Sequence, residues 1–141
     1  QTPSAYLSNV QPLVEDGKTP AEMAPALARS LVGPDVADDV YERVVASVSA
    51  LHVESYIKTI EATTRYDRSG ILSEIAVPTL VIGGEHDSLT PPAMKRELAG
   101  RIPGARLEIL AGCGHMANME RPEAFNSVVL DFLRTNRDRA R

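Results

Sequence analysis

Apolar residues recur along the chain in two rhythms, and the change falls near residue 66. Before it the spacing is helical. Thr19, Pro20 and Glu22 supply a hydroxyl cap, a proline at the first helical position and a carboxylate three residues past the cap, which predicts a helix from Pro20 to Leu31. Gly33-Pro34 ends it, because proline cannot extend the hydrogen-bond ladder. Val36, Val40, Val44 and Val48 then recur every four residues, with Asp35, Asp38 and Asp39 at the end where a helix dipole favours acids. Val53, Ile57, Ile60 and Thr64 predict a third one-sided helix. Three short amphipathic helices over residues 1–66 suit a cap or lid better than a self-sufficient core.

Residues 67–141 follow a different pattern. Asp67, Ser69 and Gly70 mark Tyr66 to Glu74 as a linker with one helical turn. Val77 to Gly83 is an apolar, β-branched run that does not alternate, as expected of a parallel strand covered on both faces, with Pro78 tolerated near its start. Thr90-Pro91-Pro92 predicts a helix capped by Thr90, with Met94, Leu98 and Ile102 on its apolar side before Pro103-Gly104 breaks it. Arg106 to Leu110 reads as a second strand. Phe125, Val128, Val129, Phe132 and Leu133 predict a closing helix from Pro122, with Arg134 to Arg141 as a solvated, frayed tail. Strand, helix, strand, helix defines a right-handed parallel unit of the α/β class.

Composition narrows the partners. The chain has 141 residues, 43% of them apolar, which suits one compact domain. Fifteen Lys and Arg against nineteen Asp and Glu give a net charge of −4, so no basic field exists for nucleic acid or an anionic membrane. The longest nearly apolar stretch, Ala76 to Gly84, is far short of the ~20 residues a membrane helix needs. A single cysteine, Cys113, excludes an internal disulfide framework and a multi-thiolate zinc site, and favours a reducing, cytoplasmic setting. Gln1 to Val10 lacks the basic run and apolar core of a signal peptide, and a chain opening on Gln1 reads as a piece of something longer.

Two loops carry candidate chemistry, one after each strand, where open parallel sheets bind their ligands. The first is Gly83-Gly84-Glu85-His86-Asp87-Ser88-Leu89-Thr90, and the second is Gly112-Cys113-Gly114-His115-Met116-Ala117-Asn118-Met119-Glu120. Adjacent strands lie ~4.8 Å apart, so Asp87 and His115 can meet at the carboxyl ends. A carboxylate on one imidazole nitrogen fixes the tautomer and leaves the other nitrogen to take a proton from a nucleophile. Weighed against this, Asp87 can serve as a turn residue, His115 as a structural histidine, and Glu85 as a rival acid expected to face solvent. His86, Asp87 and His115 together could ligate a metal, although no fourth ligand stands at a recognisable spacing, and no metal is assigned. Cys113 reads as a small buried thiol, His52 as a surface residue, and Met116 and Met119 receive no role.

These residues resemble the α/β-hydrolase fold family, specifically its cap and C-terminal segment. Val77-Pro78-Thr79-Leu80-Val81-Ile82-Gly83-Gly84-Glu85-His86-Asp87 is similar to the late strand and loop that bear that family's acid. Gly112-Cys113-Gly114-His115, followed by Glu120-Arg121-Pro122-Glu123-Ala124-Phe125-Asn126, is similar to the histidine loop and closing helix. The resemblance implies that Asp87 is the triad acid and His115 the general base. It also implies a nucleophile on a Gly-x-Ser-x-Gly elbow upstream of the cap, and no such motif occurs in this chain. Ser69 in Asp67-Arg68-Ser69-Gly70 lacks the first glycine and the strand-to-helix turn.

The expectation is thus the C-terminal portion of an α/β-hydrolase: a helical cap over 1–66 and the last two parallel strands with their helices over 67–141, the N-terminal half with the elbow being absent. Such a protein would hydrolyse small carboxylic esters or lactones without a cofactor. The stretch from Thr90 through Ala105 to Asn126 resembles enol-lactone hydrolases, and the Cys-Gly-His loop resembles hydrolases of ring-fission products that cleave carbon–carbon bonds. Thioesterases and cofactor-free haloperoxidases share the frame. No substrate-contacting residue is readable. Lacking the nucleophile, the chain is expected to be inactive alone, to need the missing N-terminal half, and to oligomerise through its uncovered apolar surface. The alternative of another class is a non-catalytic binding or structural module on the hydrolase frame.

Overall fold

The computed structural model describes residues 17–137, apart from 53, 57, 60, 61 and 63–66. Helix α1 spans Pro20–Leu31 and opens with the full capping box: the Glu22 amide donates to the Thr19 hydroxyl, and the Thr19 amide donates to the Glu22 carboxylate. Helix α2, Asp38–Ser49, places Asp38 and Asp39 in its first turn and turns Val40, Val44 and Val48 inward. Asp35 and Val36 precede it. The two helices bury one core of Met23, Ala24, Leu27, Ala28, Val32, Val44 and Val48. The pattern of Val53, Ile57, Ile60 and Thr64 lies outside the described residues, and the division expected at 66 adjoins them.

A 3-10 turn over Ser69–Glu74 leads to strand β1, Leu80–Gly84, which begins later than its apolar run predicts. Val77 is 67% exposed ahead of Pro78. Helix α3, Pro92–Arg101, crosses to strand β2, Arg106–Leu110, and the strands pair in parallel with Leu80 beside Arg106 and Gly84 beside Leu110. Helix α4 is the single turn Ala117–Glu120, which the sequence pattern did not predict, and α5 runs Pro122–Asn136. A second core joins Leu110, Cys113 and Ala117 to the partly buried Ile82, Phe125 and Val128.

Two expectations fail here for physical reasons. Thr90 does not cap α3: Pro91 takes the cap position with no side-chain bond, and the Thr90 hydroxyl turns to Asp87. The apolar stripe of α3 is open, with Met94 and Leu98 exposed and Ile102 alone of the three buried, because the sheet beneath it has two strands among the described residues. The closing helix α5 forms as expected and continues past Arg134 to Asn136, yet it has no fully buried residue, and Leu130 and Leu133 face out. No helix among the described residues is long and apolar enough to cross a membrane.

Candidate active site

The parallel register brings the two loops to one end of the sheet. The Glu85 amide continues the ladder to the Leu110 carbonyl, and the His86 amide reaches the Cys113 carbonyl, both at 2.9 Å. So close an approach needs Gly84: a Cβ there would lie 2.0 Å from the Gly114 carbonyl oxygen. Sequence reasoning had Glu85 facing solvent. It is exposed as expected, and in addition its carboxylate accepts the Gly112 amide at 3.0 Å and ties the first loop to the second. His86 stays on the surface, 3.7 Å from Glu85.

Asp87 is 3% exposed and forms the centre of the site. Its Oδ1 accepts the Leu89 and Thr90 amides at 3.0 and 2.9 Å, folding the loop round the carboxylate. Its Oδ2 lies 3.0 Å from His115 Nδ1 and also accepts the Thr90 hydroxyl at 2.9 Å and the Lys95 ammonium at 2.6 Å. Asp87 is therefore both a turn residue and the partner of His115. Burial works against its ionisation, but the Lys95 ammonium, the Thr90 amide, His115 and the Thr90 hydroxyl together outweigh it and lower the carboxyl from 3.8 to about 2. A carboxylate held ionised at neutral pH at this distance favours the imidazole tautomer that carries its proton on Nδ1.

His115, with a side chain 35% exposed, sits on a backbone fixed from the helical side: its amide and that of Met116 both donate to the Leu31 carbonyl at the end of α1. Met116 and Met119 pack against the α1–α2 core. Cys113 is fully buried, its Sγ is 3.4 Å from the Leu110 carbonyl, and burial together with Glu120 pushes its thiol up, away from the thiolate a nucleophile needs. His52 is exposed and pairs with Ser55. No cluster of three or more metal-ligating side chains stands among the described residues.

Lys95 and Glu120 were missed by sequence reasoning. Lys95 lies one turn into α3, where a lysine ordinarily faces water. The only hint was Gly83, since a Cβ there would lie 1.9 Å from the lysine stem. Glu120 closes α4, is 7% exposed, and accepts the Gly33 and Gly114 amides at 2.7 and 2.9 Å.

A parallel strand pair with its acid and histidine on successive carboxyl-end loops is the late part of one well-known architecture. Residues 15–122 match the model of the alpha/beta hydrolase fold, and the chain belongs to that family. Among its relatives is the 2-hydroxy-6-oxononadienedioate/2-hydroxy-6-oxononatrienedioate hydrolase of Cupriavidus pinatubonensis, 39% identical over 84 residues, which are 58% of this chain and 29% of that protein. A hydrolase structure from Pseudomonas aeruginosa superimposes with a TM-score of 0.80 at 31% identity, covering 94% of this chain and 51% of the other. The enol-lactonase of Burkholderia xenovorans gives 0.75 at 32%, covering 93% and 50%. The chain thus spans about half the length of these solved structures.

Proposed function

We propose that this chain supplies the acid, Asp87, and the general base, His115, of a serine-type hydrolase acting on small carboxylic esters or lactones. The observation that carries the reading is the 3.0 Å contact between Asp87 Oδ2 and His115 Nδ1 at the carboxyl ends of adjacent parallel strands. A serine hydroxyl attacks the carbonyl carbon as its proton passes to His115 Nε2, and Asp87 stabilises the imidazolium that forms. The imidazolium then gives that proton to the departing alkoxide, and a water repeats the sequence against the acyl-enzyme. No serine of this chain stands on a Gly-x-Ser-x-Gly elbow. The serine and oxyanion hole therefore belong to a nucleophile-bearing half, and the chain alone is inactive. Helix α1, docked on the histidine loop through Leu31, and α2, which shares its core, act as part of a cap over the site.

A second reading keeps the same residues and changes the bond. The ring-fission hydrolase relative at 39% identity favours carbon–carbon cleavage of a dienedioate, while the enol-lactonase at 32% favours lactone opening. Turnover of an enol-lactone, a p-nitrophenyl ester and a ring-fission dienedioate by the assembled enzyme separates the two. On the preferred substrate, His115→Ala is expected to lower kcat/KM by about 10³-fold or more. Unchanged turnover in both His115→Ala and Asp87→Asn would favour a non-catalytic module instead.

A further inference from the structure

Glu120 has no part in the proton transfers above, yet its carboxyl group is withdrawn from water at the junction of the two cores. Its two oxygens are divided between two segments far apart in sequence: Oε2 takes the amide of Gly33, just past α1, and Oε1 takes the amide of Gly114, the residue before His115. The His115 and Met116 amides return to the Leu31 carbonyl from the other side, so residues 31–33 and 114–116 are laced in both directions. The space is tight. A Cβ on Gly33 would lie 3.0 Å from Glu120 Oε2, and one on Gly114 would lie 2.6 Å from the Val32 carbonyl carbon. A carboxylate accepts only, so it suits two inward-pointing donors, whereas an amide side chain would turn its own N–H toward one of them.

We propose that Glu120 is a positioning residue, a buried clamp that fixes the backbone of His115 against the end of α1 and so sets the contact between His115 Nδ1 and Asp87. The inference deepens the catalytic reading and rests on it. With the clamp gone, the imidazole samples orientations that leave Asp87, and a misplacement of about 1 Å is enough to cost about 100-fold in rate.

The test compares Glu120→Gln and Glu120→Ala in the assembled enzyme by ¹⁵N NMR of the His115 ring and by amide exchange, with melting temperature as control. In the unsubstituted chain the His115 ring is expected to hold its proton on Nδ1. Glu120→Gln, which keeps one of the two bonds, is expected to mix the tautomers and speed exchange of the Gly33 or Gly114 amide about tenfold, and Glu120→Ala to do both more strongly. In the assembled enzyme the same variants lower kcat in that order with KM within about threefold. Unaltered His115 ring signals in the folded Gln variant, with only melting temperature lowered, would overturn the proposal. Should Glu120→Ala not fold, the Gln variant alone decides. If His115→Ala proves kinetically silent, the catalytic reading fails, while the ring signals still decide whether Glu120 positions the histidine.

Discussion

Asp87 illustrates how far one residue can be read in advance. Its pairing with His115 was legible because the two loop motifs occur in a fixed order with one helix and one strand between them. Its anchoring was not. The ion pair with Lys95 and the hydroxyl bond from Thr90 depend on how α3 leaves the sheet, and lysines and threonines near a helix start ordinarily face solvent. Glu120 escaped for the same reason, since nothing local marks a glutamate as buried. The lowered pKa of Asp87 gives a sign to the pH dependence. An aspartate that titrates near 3.9 when unfolded and about 2 when folded stabilises the fold by roughly 2 kcal/mol above about pH 5, and the contribution disappears as pH falls through the folded value. Urea unfolding should therefore show the stability gap between wild type and Asp87→Asn narrowing from about pH 6 to about pH 2, whereas a constant gap would mean that Asp87 is not held ionised. Gly84→Ala drives a methyl into the Gly114 carbonyl, so a loss of more than about 2 kcal/mol is expected in the same assay.

Elements were more legible than their burial. Helix α1 appeared between its predicted ends because the capping box, the proline and the Gly33-Pro34 stop are local signals. Strand β2 was equally local. The predicted face of α5 does turn Phe125 and Val128 to the core, but that of α3 was misjudged, because periodicity reports which side of a helix is apolar and not whether anything lies across from it. The short helix α4 had too few residues for any period to register. The contrast between helices is measurable. Leu27, 4% exposed in α1, is expected to cost about 2–4 kcal/mol on replacement by Ala, whereas Leu133→Ala in α5 should change the isolated chain by less than about 0.5 kcal/mol. Equal losses would mean that α5 is covered in solution.

At the scale of the molecule, the α/β class and the strand, helix, strand, helix order were readable; the family match bears out the first and the structure the second. What the pattern could not weigh is the surface left open. Val77, Met94, Leu130 and Leu133 are exposed, and a groove between the start of β1 and α5 is lined by Pro78, Leu130, Phe132 and Leu133. A two-stranded sheet with such flanks is marginal in water. The isolated chain is expected to bind a hydrophobic dye and to sediment as larger species at tens of micromolar, with Leu133→Asp reducing both. A dye-negative monomer would show that this surface is not adhesive.

The two hydrogen bonds that fix the site also differ in how soon the chain can make them. Asp87 and His115 are separated by 28 residues, most of them in one strand–helix–strand unit, whereas Glu120 reaches Gly33 across 87. On loop length alone the longer closure costs about 1 kcal/mol more entropy. The acid and its histidine therefore come together during local folding, and the seam to α1 closes late. In a refolding experiment the Gly33 amide should gain protection after the amides of β1 and β2.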